Sequence, residues 1–136
     1  PIRFFEFIQN DFPSTIIRSK GMFWLASRPD QALIWGQAGG SLKTDSAGVW
    51  WSSMSFEDRI RHVSFIENQA LIESDWDKQF GDRKIEIVFI GQDMDEVQIK
   101  KELDLCLSTD LEIKSQKWLK GYNDVWPVER TSAIPA

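Results

Sequence analysis

The sequence predicts an α+β fold: an antiparallel sheet of about four strands with helices mainly on one face. Runs of β-branched and aromatic residues recur between Thr15 and Trp51 and again over Lys84–Ile90, bounded by Gly, Pro, Asn or Asp. The first runs follow one another through tight connections, which makes an antiparallel meander. Two later stretches carry apolar residues at helical spacing behind a capping residue.

Ile2, Phe5 and Ile8 share one helical stripe, Pro1 is an allowed first-turn residue, and Asn10-Asp11-Phe12-Pro13 is a stop, so residues 1–11 form a short leading helix. Thr15–Ser27 reads as a long strand ended by Arg28-Pro29-Asp30, whose proline and aspartate are turn formers. A second strand at Ala32–Trp35, a third around Leu42-Lys43 and a fourth at Gly48–Trp51 follow. Ser55 caps a helix with Asp58 at its third position, and Phe56, Ile60, Val63 and Ile66 continue it to about Ser74, with room for a break. Residues 75–82 read as a loop and Lys84–Ile90 as a strand halted by Gly91. Asp93 is the expected cap of the next helix, with Glu96 at its third position and Val97, Ile99, Leu103, Cys106 and Leu107 on its apolar side. Beyond Asp110 the periodicity fails, which predicts a short element and a loose tail carrying Trp118, Trp126, Pro127 and Pro135.

A chain of 136 residues is the size of one domain. With 42% hydrophobic and 27% charged residues it should fold, and neither a disordered tail nor a membrane protein is a natural reading. The excess of 21 acidic over 16 basic side chains leaves a formal charge of -5 and no positive field to attract nucleic acid or a membrane surface. A single cysteine and a single histidine cannot form an internal disulfide or supply four nitrogen and sulfur ligands to a structural zinc, so a reducing, cytoplasmic setting is expected. The first residues lack a signal peptide's architecture, and the missing initiator methionine points to processing or excision from a longer protein. Seven tryptophans and nine phenylalanines against one tyrosine favour aromatic packing or an aromatic contact surface.

Two strands demand cover on both sides. In Met22-Phe23-Trp24-Leu25 and in Ile85–Ile90, successive side chains point to opposite faces, yet both faces receive large apolar groups. Trp50-Trp51 poses the same demand in two residues. One side of the sheet is readily covered by helices; the other is either a partner surface or closed by Trp118, Trp126 and the tail. The candidate interaction surface is Arg18, Lys20, Trp24, Trp35, Trp50 and Trp51, where a cation of Arg18 or Lys20 could lie over the Trp24 indole. Homo-oligomerisation through an aromatic face is a further option.

Chemistry is sparse. Gly36, Gly39 and Gly40 lack the lysine, hydroxyl and helix start of a phosphate cradle, and a bulge or close strand approach explains them better. Asp75, Asp77 and Glu86 fall at the first, third and twelfth places of a calcium loop, but Phe80 stands at the sixth, where glycine makes the turn. Asp82 instead shapes the turn after Gly81. His62 has no nucleophile or acid implied by spacing and reads as a surface residue; Cys106 reads as core. No catalytic, cofactor-binding or metal-ligating residue is assigned. The alternative is a stand-alone metal-binding domain that uses His62 or the acidic loop Asp75, Asp77 and Asp82.

Three segments read together resemble the C-terminal domain of the CobW-like P-loop GTPases: Arg18–Pro29 (RSKGMFWLASRP), Trp35–Leu42 (WGQAGGSL) and Gly81–Gly91 (GDRKIEIVFIG). Asp75-Trp76-Asp77 and Met94-Asp95-Glu96 fit as well, so the resemblance runs over about residues 14–108 and leaves Ser52–Ser74 and the tail from 109 largely unassigned. It implies a non-catalytic domain that follows a GTP-binding domain in a metal chaperone or insertase, tied to zinc homeostasis, cobalamin synthesis or nitrile hydratase maturation. GTP and a divalent metal are then cofactors of the parent protein, held outside this chain. The implied partners are the protein's own N-terminal GTPase domain and a client metalloprotein.

Overall fold

The first hairpin turns at Ala26-Ser27, earlier than Arg28-Pro29-Asp30 predicts. In the computed structural model, which describes residues 1–126, β1 (Ile16–Leu25) pairs antiparallel with β2 (Arg28–Ala38), and Leu25 stands opposite Arg28. Pro29 falls outside the paired positions of both ladders, so β2 accommodates it without losing a ladder hydrogen bond. The predicted third and fourth strands are one, β3 (Ser41–Val49). Its polar centre, Thr44-Asp45-Ser46, shows no apolar alternation, and Asp45 disfavours a strand, but the β2 ladder holds it, with a bulge opposite Ala32-Leu33. Gly39-Gly40 is the two-residue turn between the paired Ala38 and Ser41, which corrects the bulge expected there. β4 (Glu86–Gly91) adds antiparallel to the other side of β1, giving the order β3-β2-β1-β4. Gly21 permits that close approach: a Cβ there would stand 2.1 Å from the Glu86 carbonyl oxygen.

Helices cover one face of this four-stranded antiparallel sheet. α1 (Ile2–Glu6) runs on into a π-helical turn, Phe7–Asp11, and delivers Phe4, Phe5, Ile8 and Phe12 onto a buried cluster of Phe23, Leu25, Leu33, Trp35 and Trp126. Phe4 lies 5.4 Å from Trp35 and 5.7 Å from both Phe23 and Trp126, ring centre to ring centre. The polar atoms beneath the Trp35 ring are paired: Trp35 Nε1 donates to Ser19 Oγ (2.7 Å), which donates to Gln37 Oε1 (2.7 Å), while Gln37 Nε2 donates to the Gly39 carbonyl (2.8 Å).

α4 (Glu96–Cys106) packs beside α1 and buries Ile99, with Leu103 and Cys106 half-buried; Val97 and Leu107 of its expected apolar side are exposed. Its cap is Asp95, which accepts from the Gln98 amide; Asp93, the predicted cap, sits in the preceding turn. α5 (Asp110–Lys114) has a full capping box from Thr109 and Glu112, and Arg3 of α1 reaches Glu112 at 2.7 Å. The Thr109 amide and then Arg3 hold the Glu112 carboxyl down at about 2.

The middle helix is broken, as its sequence allows. α2 (Phe56–Arg59), capped by Ser55, is followed by α3 (Val63–Ser74), whose buried Phe65 packs 5.2 Å from Trp51. Residues 121–126 return across the first hairpin, where the Tyr122 amide donates to the Ser27 carbonyl and Arg28 pairs with Asp124 inside the protein. Pro127 and Pro135, assigned to the loose tail, lie outside the described residues. No helix among the described residues is long and apolar enough to cross a membrane.

Candidate interaction surface

Strand alternation assigns every second residue of the sheet to the face opposite α1 and α4. Pairing then sets these residues in rows. Ser41, Ala38, Arg18 and Ile90 form one row; Lys43, Gly36, Lys20 and Val88 the next; Asp45, Ile34, Met22 and Glu86 the third. Side chains that a core would claim stand in the open: Ile34 is 40% exposed, Ile90 58% and Val88 61%. Gly36 contributes no side chain, so the centre of the face is a shallow depression of about 660 Å³ walled by Arg18, Lys20, Ile34, Lys43, Val88 and Ile90. Arg18, Lys20 and Lys43 make no ion pair among the described residues.

The sequence-derived surface residues divide. Arg18 and Lys20 lie on this open face. Trp35, Trp50 and Trp51 do not: they are 0%, 3% and 7% exposed. Trp35 points to the core side, while Trp50 and Trp51 follow the end of β3, where strand alternation no longer governs them. Trp24 shares the side of Lys20 and Met22, but it lies at a β-bulge and packs 5.7 Å from both Phe80 and Trp118. The cation over its ring is Arg83, at 5.8 Å, rather than Arg18 or Lys20. Burial lowers the Arg83 pKa, against the pull of Asp30 and Asp82, and its guanidinium donates to the Pro29 and Phe80 carbonyls. Trp126 joins the core and Trp118 the Trp24 cluster, so neither indole closes the open face.

Two carboxylates of the acidic loop are taken up by backbone amides, that of Asp82 across the fold and that of Asp77 within the loop. Asp82 accepts from the amides of Trp51 (2.8 Å) and Ser52 (2.9 Å). Asp77 accepts from those of Phe80 and Gln79, which lower its pKa. His62 is half-buried, 5.7 Å from the Trp51 ring, with its carbonyl starting α3; it is not the free surface residue expected. Among the described residues no three His, Cys, Asp or Glu side chains are grouped to hold a metal ion. Cys106 borders a second concavity of about 670 Å³, between β4 and α4, and burial raises its thiol pKa, which works against thiolate chemistry.

Ile34, Gly36, Lys43, Val88 and Ile90 also lie on the open face, with Asp45 and Glu86 in its third row, and none belongs to the sequence-derived surface. The apolar residues of β1 and β4 carried a signal in their two-sided pattern. Gly36 and Lys43 became neighbours of Lys20 only through register.

A family model described as the cobalamin synthesis protein CobW C-terminal domain matches residues 1–107, so it takes in the leading helix and the Ser52–Ser74 segment as well. The chain is 33% identical over 112 residues to a zinc-regulated GTPase metalloprotein activator 1 of Dictyostelium discoideum, covering 82% of this chain and 22% of that protein. It is 32% identical over 111 residues to a zinc chaperone of Mycobacterium tuberculosis strain H37Rv, covering 80% of this chain and 27% of the other. The chain thus spans about a quarter of the length of these curated relatives. No solved structure matches it.

Proposed function

Because the chain belongs to the CobW C-terminal domain family, in which it is an accessory and not a catalytic domain, we propose that it serves as the docking domain of a GTP-dependent metallochaperone or metal insertase. Residues 1–136 act as a single domain of a larger GTPase, in the cytoplasm. Its partners are the protein's own GTPase domain and a client metalloprotein. GTP and the divalent metal are handled outside this chain, and the names of the two relatives favour zinc over cobalt as the metal.

The observation that carries this reading is the open sheet face. A domain that buries five of its indoles nevertheless leaves Ile34, Val88 and Ile90 in water beside three cations that make no salt bridge among the described residues. Apolar surface left uncovered on a sheet marks a contact site. The test is a titration of the methyl-labelled chain with the parent's GTP-binding domain, with GTP or GDP bound, or with a client apoprotein. Shifts of the Ile34, Val88 and Ile90 methyl signals are expected with one of these partners. Unmoved signals with all of them would overturn the proposal.

A further inference from the structure

The open face carries a charge pattern beyond a bare docking surface. The chain as a whole is acidic, with a net charge of -5, yet the first two rows of this face carry Arg18, Lys20 and Lys43, and its two carboxylates, Asp45 and Glu86, stand apart at the ends of the third row. Lys20 and Lys43 stand on either side of Gly36, on β1 and β3, so their Cα atoms are about 10 Å apart at a strand spacing of about 4.8 Å. Val88 continues the row on β4. Along the row the order is cation, empty floor, cation, aliphatic side chain.

An α-helix laid across the strands matches that order. It rises about 1.5 Å per residue, so residues i, i+3 or i+4, and i+7 lie on one face at steps of about 5 Å, close to the strand spacing. Acidic residues at i and i+7 meet Lys20 and Lys43, an aliphatic side chain at i+3 or i+4 enters the depression over Gly36, and another four residues before i rests on Val88.

Area decides between such a segment and a second copy of the chain. Four strands at about 4.8 Å and three rows at about 7 Å give a face of roughly 400 Å², half of the roughly 800 Å² per partner of a standard interface. The geometry points to an acidic amphipathic helix of a partner protein, carrying Asp or Glu at i and i+7 and an aliphatic residue between them, as the ligand of this face. This inference rests on the docking reading and names the chemistry of the partner.

The probe is a fluorescein-labelled, alanine-based helical peptide of about 16 residues with Leu and Glu at this repeat, titrated with the 136-residue chain at low salt. Micromolar binding is expected, weakening in high salt. It should fall at least tenfold with Gln in place of Glu, with a composition-matched scramble, with Lys20→Glu/Lys43→Glu, and with Gly36→Leu. A Cβ at Gly36 meets nothing closer than the Lys43 carbonyl oxygen at 3.8 Å, so the last variant should fold; Gly36→Ala provides a milder step.

Absence of binding, or equal binding of the scramble, would overturn the inference. So would a dimer detected by sedimentation and dissolved by Lys20→Glu/Lys43→Glu, since a second copy would then be the occupant. The outcomes separate from those of the docking reading. Methyl shifts with the GTPase domain but no peptide binding would remove the helix and keep the docking role. Charge-dependent peptide binding without any such shifts would do the reverse.

Discussion

Replacing Asp82 by alanine removes the carboxylate that joins two distant parts of the chain. Its oxygens accept from the amides of Trp51 and Ser52 at 2.8 and 2.9 Å, and hold the short turn that seats Trp51 against Phe65. Hydrogen bonds to a charged group contribute about 1.5–3 kcal/mol each, and the half-buried position reduces this, so Asp82→Ala should cost about 2–4 kcal/mol. Asp82→Asn keeps one accepting oxygen and should lose about half as much. Urea denaturation followed by tryptophan fluorescence gives both values, and hydrogen exchange should show the Trp51 and Ser52 amides losing protection in the alanine variant. Gly81 supports the same lock: its φ is +67°, and a Cβ there would stand 2.3 Å from Ser52 Cβ, so Gly81→Ala should also destabilise. A loss below about 1 kcal/mol for Asp82→Ala would mean that these two hydrogen bonds do not hold the turn. Stabilisation of the wild type by zinc or calcium that disappears in Asp82→Ala would make the carboxylate a metal ligand instead.

Other changes probe separate parts of the structure. Trp51→Ala should cost about 3–5 kcal/mol in the same denaturation assay, because the indole is buried against Phe65 and His62. Burial acts to raise the Asp124 pKa, but hydrogen bonds from Arg28, Ser27 and the Trp126 amide outweigh it and keep the carboxyl below its usual value. Its contribution is therefore complete above the unfolded pKa of about 3.9 and is lost as pH falls through the lower folded value. Asp124→Asn should destabilise by about 3 kcal/mol at pH 7 and flatten the fall in stability below pH 4, as read from denaturation midpoints across pH; Glu112, held at about 2, preserves part of that slope. Lys20→Glu/Lys43→Glu should change stability by no more than about 0.5 kcal/mol, since neither lysine is buried or ion-paired among the described residues.

The sequence disclosed most where local chemistry and tertiary demand agree. Ser55 caps α2 as its spacing implies, and the two-sided apolar runs of β1 and β4 do form neighbouring strands of a sheet with one open face. It disclosed less where two local signals compete. Asp93 with Glu96 and Asp95 with Gln98 offer equally good caps two residues apart, and the fold uses the second. Pro29 is a turn former in isolation but lies in β2, because the chain reverses two residues earlier. Which tryptophans are exposed depends on where β3 stops and on which face α1 covers, and neither can be read from composition. The open face itself shows in the alternation of Arg18, Lys20 and Met22, but its floor at Gly36 and its third cation, Lys43, require the register of three strands.

The face bearing Val88 and Ile90 is open in this chain, and on the docking reading it is covered in the working protein. Alkylation of Val88→Cys, in a Cys106→Ser background, measures this directly when its rate in the isolated chain is compared with that in the complete parent protein carrying bound nucleotide and client. Fast labelling of the chain alone and labelling slowed at least tenfold in the assembled protein is the predicted result. Equal rates in both would mean that this face stays bare in the assembled protein and is not a docking surface.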